Sequence, residues 1–270
     1  MILFNEDCEL AMQKLETESV DLVVTSPPYD NIRTYGLSAD LFPYEKFCKV
    51  AHQIARVLKQ GGVCVWIVND ATIKGSETLT SFKQAIYFKE TCGLNIHDTM
   101  IWQKNSPFTH KNRYIPDFEY MFVISKGVPK TANIIQDRKN KYVGTKVHGT
   151  LQQTNDGSRV EINGKSKGRE IKEFGSRYNV WDISPDRNNK TGHPAVFPIQ
   201  LAKDHIITWS NKGDVVLDPF MGSGTTGMAC LELEREFIGI ELMQDYYEPT
   251  KERLNETAIL MGAETFEHWI

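Results

Sequence analysis

"GDVVLDPFMGSGTTGMACLELEREFIGIEL", residues 213 to 242, reads as strand, turn, helix and strand in one stretch. Val215 to Leu217 is a β-branched run that predicts a buried strand, and Gly222, Ser223 and Gly224 make a glycine-rich turn. Thr225 to about Leu233 predicts a helix, and Phe237 to Ile240 a second strand that ends on Glu241. Glycines at a helix start let a ligand approach the backbone where unpaired N–H groups gather. An acid about 20 residues on, at the next strand end, is placed to accept hydrogen bonds from ribose hydroxyls. This is the layout of a nucleoside-cofactor site in a parallel α/β sheet. A P-loop is unlike it, because Thr225 and Thr226 stand where a phosphate-binding lysine belongs. Gly222, Gly224 and Gly227 satisfy the dinucleotide spacing, so spacing alone leaves NAD open. Asp218 decides against it: a carboxylate at the strand end repels a pyrophosphate and suits a cationic or zwitterionic cofactor.

Working outward, "GHPAVFPIQLAKDHIITWS" before this unit predicts a helix to about Trp209, with Pro198 in its first turn. The chain opens with a β-α-β pattern: "MILFNEDC", a short helix over Leu10 to Leu15, and the strand Val20 to Val24, rich in β-branched residues and read as fully buried. That strand runs into "TSPPY", where Pro27 and Pro28 cannot donate to a ladder, so the sheet stops at a stiff corner carrying Ser26 and Tyr29. From Tyr44 the apolar positions Phe47, Val50, Ala51, Ile54 and Leu58 fall at helical spacing, and Gly61 and Gly62 read as the C-cap before the strand "VCVWIV". Strands are expected at "NIHDTMIWQ" and "EYMFVISK"; from Lys126 to Tyr178 the pattern becomes loop-rich.

The bulk properties bound the function. A chain of 270 residues with 40% hydrophobic and 24% charged residues suits one α/β core with a smaller lobe. No apolar run reaches the roughly 20 residues of a membrane helix and no signal pattern opens the chain, so a cytoplasmic protein is expected. Cys8, Cys48, Cys64, Cys92 and Cys230 are scattered without a C-x-x-C pair, which argues for reduced core thiols and against a structural zinc site; no metal is expected. The net charge of −4 is unevenly spread: Trp102 to Lys190 holds 17 Lys and Arg against 9 Asp and Glu, so this segment carries +8 and the remainder −12. A basic middle in an acidic chain suits a polyanion, or is a solvated lysine-rich loop.

"DPFMGSGTT" resembles the adenosylmethionine-binding motif of the amino-methylating DNA methyltransferases, and "TSPPY" resembles their catalytic motif. The order, catalytic motif first and cofactor motif last around a variable region, is that of the β class. The resemblance covers roughly residues 1 to 125 and 190 to 245. It implies a circularly permuted Rossmann-like sheet of about seven strands, with an inserted target recognition region. The expected domains are 1–103 as catalytic half, 104–190 as recognition region including a last core strand near 119–126, and 191–270 as cofactor half. It implies S-adenosylmethionine as cofactor. The contacts map onto Asp7, Thr25, Phe197, Pro198, Asp218, Pro219, Phe220, Gly222, Ser223, Gly224, Thr225, Thr226, Glu241 and Leu242, with Glu241 on the ribose and Asp7 near the adenine. Asp7 also reads as an N-cap of the first helix. Duplex DNA is the implied partner, with a cognate restriction endonuclease beside it, and the protein is expected as monomer or homodimer.

The chemistry of the corner follows. An exocyclic amino nitrogen is a poor nucleophile because its lone pair is delocalised into the ring. The Ser26 hydroxyl and the Pro27 carbonyl are placed to accept its two hydrogens and aim the remaining lone pair at a sulfonium methyl, with Pro28 stiffening the turn. Tyr29 offers a face for a base flipped out of the duplex. Methylation at cytosine carbon 5 needs a Pro-Cys thiolate, which this chain lacks. Serine before Pro-Pro-Tyr favours cytosine N4, with adenine N6 as the alternative; an RNA methyltransferase or an inactive DNA-binding homologue are further ones. Arg33, Tyr35, Lys165 and Lys167 are the candidate DNA contacts. His110 and His193 are not expected to act as bases, since the amino proton leaves to water after transfer. Phe108, Tyr114 and Tyr142, aromatics of the basic middle, are read as packing against DNA or, for most of them, in the core.

Overall fold

The computed structural model describes residues 1–28, 42–105, 112–147, 150–162, 167–185 and 197–262. The first part of the chain forms β1 (Ile2–Phe4), α1 (Cys8–Gln13), β2 (Val20–Thr25), α2 (Tyr44–Val57) and β3 (Leu58–Val68). The hairpin β4 (Thr72–Ile73) and β5 (Ser76–Glu77) follows, then α3 (Thr80–Glu90), β6 (Asn95–Gln103) and β7 (Phe118–Ser125). Next come the short strands β8 (Arg138–Lys139), β9 (Thr150–Gln153), β10 (Arg159–Ile162), β11 (Phe174–Gly175) and β12 (Val180–Asp182). The C-terminal part holds α4 (Ile199–Trp209), β13 (Val215–Asp218), α5 (Thr225–Glu232), β14 (Glu236–Ile240) and α6 (Gln244–Leu260).

One sheet of eight strands in the order β1-β14-β13-β2-β3-β7-β6-β12 organises residues 1–133 and 179–270. All pairs are parallel except those of β7 with β3 and β6. About seven strands were expected. The eighth, β12, has only Trp181 buried, and a three-residue segment with exposed neighbours carries no periodic signal. Both faces are covered. On one, Phe47, Ile54, Trp66 and Phe88 pack between the sheet and α2 and α3; on the other, Leu201, Ile206, Trp209 and Ala229 of α4 and α5 meet Val24, Ile67 and Met121. Double coverage explains why every residue of β2 is buried.

Gly61 and Gly62 are not a helix cap. α2 ends at Val57, and the glycines lie inside β3, where the register against β2 shifts between Val20 and Leu22. Gly61 has φ +75°, and a Cβ there would meet the Lys130 Cβ at 2.9 Å. The strand therefore bulges at a residue that only glycine fills without strain.

Residues 134–178 form a second compact unit, narrower than the expected 104–190. It consists of the antiparallel pairs β9–β10 and β8–β11, an isolated bridge Lys146–Glu170, an Asp137–Arg177 ion pair, and Arg138 over the Tyr178 ring at 4.8 Å. Among its residues whose side chains are described, 134–147, 154–160 and 167–178, none is buried. Tyr142 is 69% exposed and Tyr114, in the sheet unit, 99% exposed, which corrects their reading as core aromatics; Phe108 lies outside the described residues.

At the amino ends of the strands, buried Asp21 on β2 accepts from Lys59 Nζ at 2.7 Å, from Lys130 Nζ, and from the backbone N–H of Val215 at 2.9 Å. Burial pushes its carboxyl up, but these donors outweigh burial and hold it below its ordinary value. Its stabilisation is therefore present above the ordinary carboxylate range and lost as pH falls through the depressed native value. Asp21→Asn should destabilise the protein by about 2 kcal/mol at pH 7, a value reduced by the partial exposure of both lysines. Urea unfolding should show the gap to wild type narrowing as pH falls below the ordinary carboxylate range.

Candidate active site

Pairing of Val216 with Leu22 and Leu217 with Val23 sets the ends of β13 and β2 side by side, so the glycine turn and the proline corner meet at one sheet edge. The link between them is polar and buried. Thr25 Oγ1 donates to Asp218 Oδ1 at 2.6 Å, Thr226 Oγ1 donates to Asp218 Oδ2 at 2.8 Å, and the Phe220 N–H donates to Oδ1 at 3.1 Å. Burial raises the Asp218 carboxyl to about 6, against the pull of these donors and with the help of the Glu241 charge.

The turn is held from outside as well. Thr250 Oγ1 of α6 donates to the Gly222 carbonyl at 2.8 Å, and Arg253 Nη1 to the Ser223 carbonyl at 2.9 Å. Gly224 has φ +78°, and a Cβ there would stand 2.6 Å from Thr250 Cγ2. Glu241, at the end of β14, accepts from Gly222 N–H through Oε2 and from Met243 N–H through Oε1, each at 2.9 Å. Its carboxyl is raised, chiefly by burial.

A pocket opens at this edge. Of the residues expected from sequence, Asp7, Ser26, Pro28, Phe197, Pro219, Phe220, Gly222, Ser223, Thr225, Glu241 and Leu242 line it. Thr25, Pro27, Pro198, Asp218, Gly224 and Thr226 do not: Asp218 lies behind the turn with both threonines, Pro198 caps α4, and Gly224 caps α5. Tyr29, Arg33, Tyr35, Lys165, His110 and His193 lie outside the described residues, and Lys167 is an exposed residue of the 134–178 unit. Sequence reasoning missed Cys8, Phe42, Lys46, Met221, Ile240, Met243 and Tyr246, which also line the pocket. Phe42 packs edge-on against Phe220 at 5.1 Å. Met221 has room because residue 239 is glycine, whose Cβ would stand 2.4 Å from the Met221 sulfur. Asp7 does cap α1, accepting from Glu9 N–H at 2.9 Å, while also facing the pocket.

The lining is apolar at its walls and acidic overall. Its one lysine among the described residues, Lys46, bonds Asp7 and Glu9, while Glu241 and the buried Asp218 add negative charge without a cation. Such a pocket rejects a pyrophosphate and accommodates a cationic, nucleoside-sized ligand.

The model of the N6/N4 DNA methylase family matches residues 20–252. The chain belongs to this family of amino-methylating DNA methylases. The orphan methyltransferase M.BamHII of Bacillus amyloliquefaciens is 48% identical to this methylase over 252 residues, which is 90% of this chain and 91% of that one. The type II methyltransferase M.HpaI of Haemophilus parainfluenzae is 27% identical, over 91% of this chain and 71% of that one. Among solved structures, the M1.HpyAVI-SAM complex matches with TM-score 0.62 and 25% identity over 94% of this chain and 100% of that one. The cytosine-N4-specific PvuII DNA methyltransferase matches in fold with TM-score 0.66 and 20% identity, over 97% and 92%. No helix among the methylase's described residues is long and apolar enough to cross a membrane.

The buried knot at Asp218 yields a test of two substitutions. An acid whose native pKa is raised loses stabilisation as pH rises from its unfolded value, about 3.9, through its native value. In the protein without ligand, Asp218→Asn does not titrate, so its stability relative to wild type should rise from pH 4 to pH 7. Asp218→Ala abolishes three accepted hydrogen bonds and should cost about 1–3 kcal/mol more than Asp218→Asn at neutral pH, measured by urea unfolding.

Proposed function

We propose that this methylase transfers a methyl group from S-adenosylmethionine to the exocyclic N4 amino group of cytosine in duplex DNA. The observation that carries the reading is the joining of the proline corner to the glycine turn through Thr25, Asp218 and Thr226, at the mouth of an acidic pocket. The pocket's residues fit the cofactor. Phe220, Phe197 and Ile240 give apolar walls, Glu241 is fixed by two backbone N–H groups with lone pairs left for ribose hydroxyls, and the acidic surroundings favour a sulfonium and an ammonium. The cofactor supplies an electrophilic methyl group when bound.

This chain's own residues do the rest. Ser26 lines the pocket beside buried Pro27, so its hydroxyl and the Pro27 carbonyl are within one residue of each other at the corner. Together they accept the two amino hydrogens and hold the nitrogen towards sp³ geometry, which an acceptor fixed by a Pro-Pro corner does without reorganising. The proton leaves to water once the amino group is methylated and acidic, so no side-chain base is required. Serine at position 26 supports cytosine over adenine. The 134–178 unit, with ten Lys and Arg against five Asp and Glu and no buried side chain among those described, suits a DNA recognition surface that gains its burial from the duplex. The orphan status of the M.BamHII relative favours action without a cognate endonuclease.

Base-resolved sequencing of DNA from cells expressing the protein should find N4-methylcytosine in one sequence context. N6-methyladenine in its place overturns the choice of base, and unmodified DNA overturns the activity. Ser26→Ala should lower single-turnover transfer by at least about tenfold, with little change in DNA or cofactor affinity. For the basic unit, replacing Lys165 and Lys167 by alanine should flatten the dependence of log K on log salt for duplex binding, while cofactor affinity stays unchanged.

A further inference from the structure

The cofactor pocket contains an ion-pair cluster that neither motif includes. Lys46, in the first turn of α2, lines the pocket and places Nζ 2.5 Å from Asp7 Oδ1 and 2.8 Å from Glu9 Oε2. The three side chains are largely shielded, at 22%, 30% and 19% exposure for Lys46, Asp7 and Glu9. Asp7 Oδ1 carries every donor: Lys46 Nζ, Glu9 N–H at 2.9 Å and Leu10 N–H at 3.4 Å. Among the described residues no donor reaches Oδ2, although Asp7 lines the pocket.

The division of labour within this carboxylate has a chemical meaning. With Oδ1 fixed on α1 and on Lys46, Oδ2 is an acceptor in a set position. An acceptor of this kind welcomes an exocyclic amino group and repels a carbonyl oxygen, because nothing on Asp7 donates. Without Lys46 the carboxylate keeps its two backbone donors but rotates about them, and its charge is shared with a ligand and water instead of an ammonium. Burial works against the Lys46 ammonium, yet its bonds to Asp7 and Glu9 outweigh burial and raise its pKa, so it stays charged.

We propose that Lys46 is a positioning residue for base selectivity in the cofactor pocket: by bridging Asp7 and Glu9 it fixes Asp7 Oδ2 as an acceptor for a 6-aminopurine. This rests on the reading that the pocket takes an adenosyl cofactor. Lys46 acts through Asp7, and the selectivity between a 6-amino and a 6-keto purine is the property that reports it. A purely structural lysine would alter stability or affinity for both purines alike.

The test is calorimetric binding of S-adenosylhomocysteine and of its inosine counterpart, S-inosylhomocysteine, to the full-length protein and four variants. Wild type should prefer the adenosyl ligand by about a hundredfold or more, as expected when a fixed, partly shielded acceptor faces a carbonyl. Lys46→Met, which keeps the aliphatic stem, should reduce that ratio about tenfold or more, and Lys46→Arg should restore it to within about threefold of wild type. Glu9→Gln should lie between wild type and Lys46→Met. Asp7→Asn places an amide N–H where Oδ2 stood, so it should abolish or invert the preference. An unchanged ratio in Lys46→Met with an altered ratio in Asp7→Asn overturns the role of Lys46. An unchanged ratio in both overturns the placement of the purine at Asp7. A wild-type protein that binds neither ligand overturns the adenosyl reading of the pocket itself. Thermal unfolding of each variant separates these outcomes from a loss of fold, which the partial exposure of Lys46 makes a minor effect.

Discussion

A single buried carboxylate holds the two halves of the site in one frame. Asp218 accepts from Thr25, which ends the strand leading to the proline corner, and from Thr226, in the first turn of the helix after the glycine turn. Donors 193 and 8 residues away thus converge on one group. A buried carboxylate is costly unless its lone pairs are met, and here three donors meet them. The geometry between corner and turn therefore follows from satisfying one group, and any shift of either strand end exposes that cost.

The remaining supports make the turn rigid before any ligand arrives. Thr250 and Arg253 take the carbonyls of Gly222 and Ser223, and Glu241 takes the Gly222 N–H. Glu241 belongs to the segment quoted at the outset, but Thr250 and Arg253 come from α6 beyond it, so that segment does not shape its turn alone. A pocket ordered during folding spares a ligand the entropy of ordering it. Asp218, expected at the pocket wall, lies behind it, where Thr25 and Thr226 reach it. Its position in the sequence fits either place, and only the direction of the threonine hydroxyls decides.

Much of the architecture was legible because the strands announce themselves. Val20 to Val24 and Val63 to Val68 are β-branched runs covered on both faces, and the turn at Gly222 to Gly224 has a spacing with a mechanism behind it. Elements with weak local signals were less visible. β12 holds one buried residue in three, and Gly61–Gly62 after a helical pattern reads as a cap when it is a strand bulge. Lys46 and Tyr246 were invisible as pocket residues, since α2 and α6 display ordinary helical periodicity, and nothing in that periodicity says which position faces a ligand. The cap at Asp7 was readable from an acid just before the first helix, and its side chain both accepts from Glu9 N–H and lines the pocket.

The absence of buried side chains among those described in 134–178 has a consequence for how such a protein changes over evolutionary time. Substitutions at exposed positions away from caps and special backbone conformations shift stability by only a few tenths of a kcal/mol. A unit held by short ladders, an ion pair and a stacked arginine therefore tolerates wide sequence drift, while the sheet around Asp218 tolerates little. Mutation meets a hard scaffold and a permissive insert in the same chain, so new surface chemistry can be sampled in the insert at almost no cost to the fold that carries it.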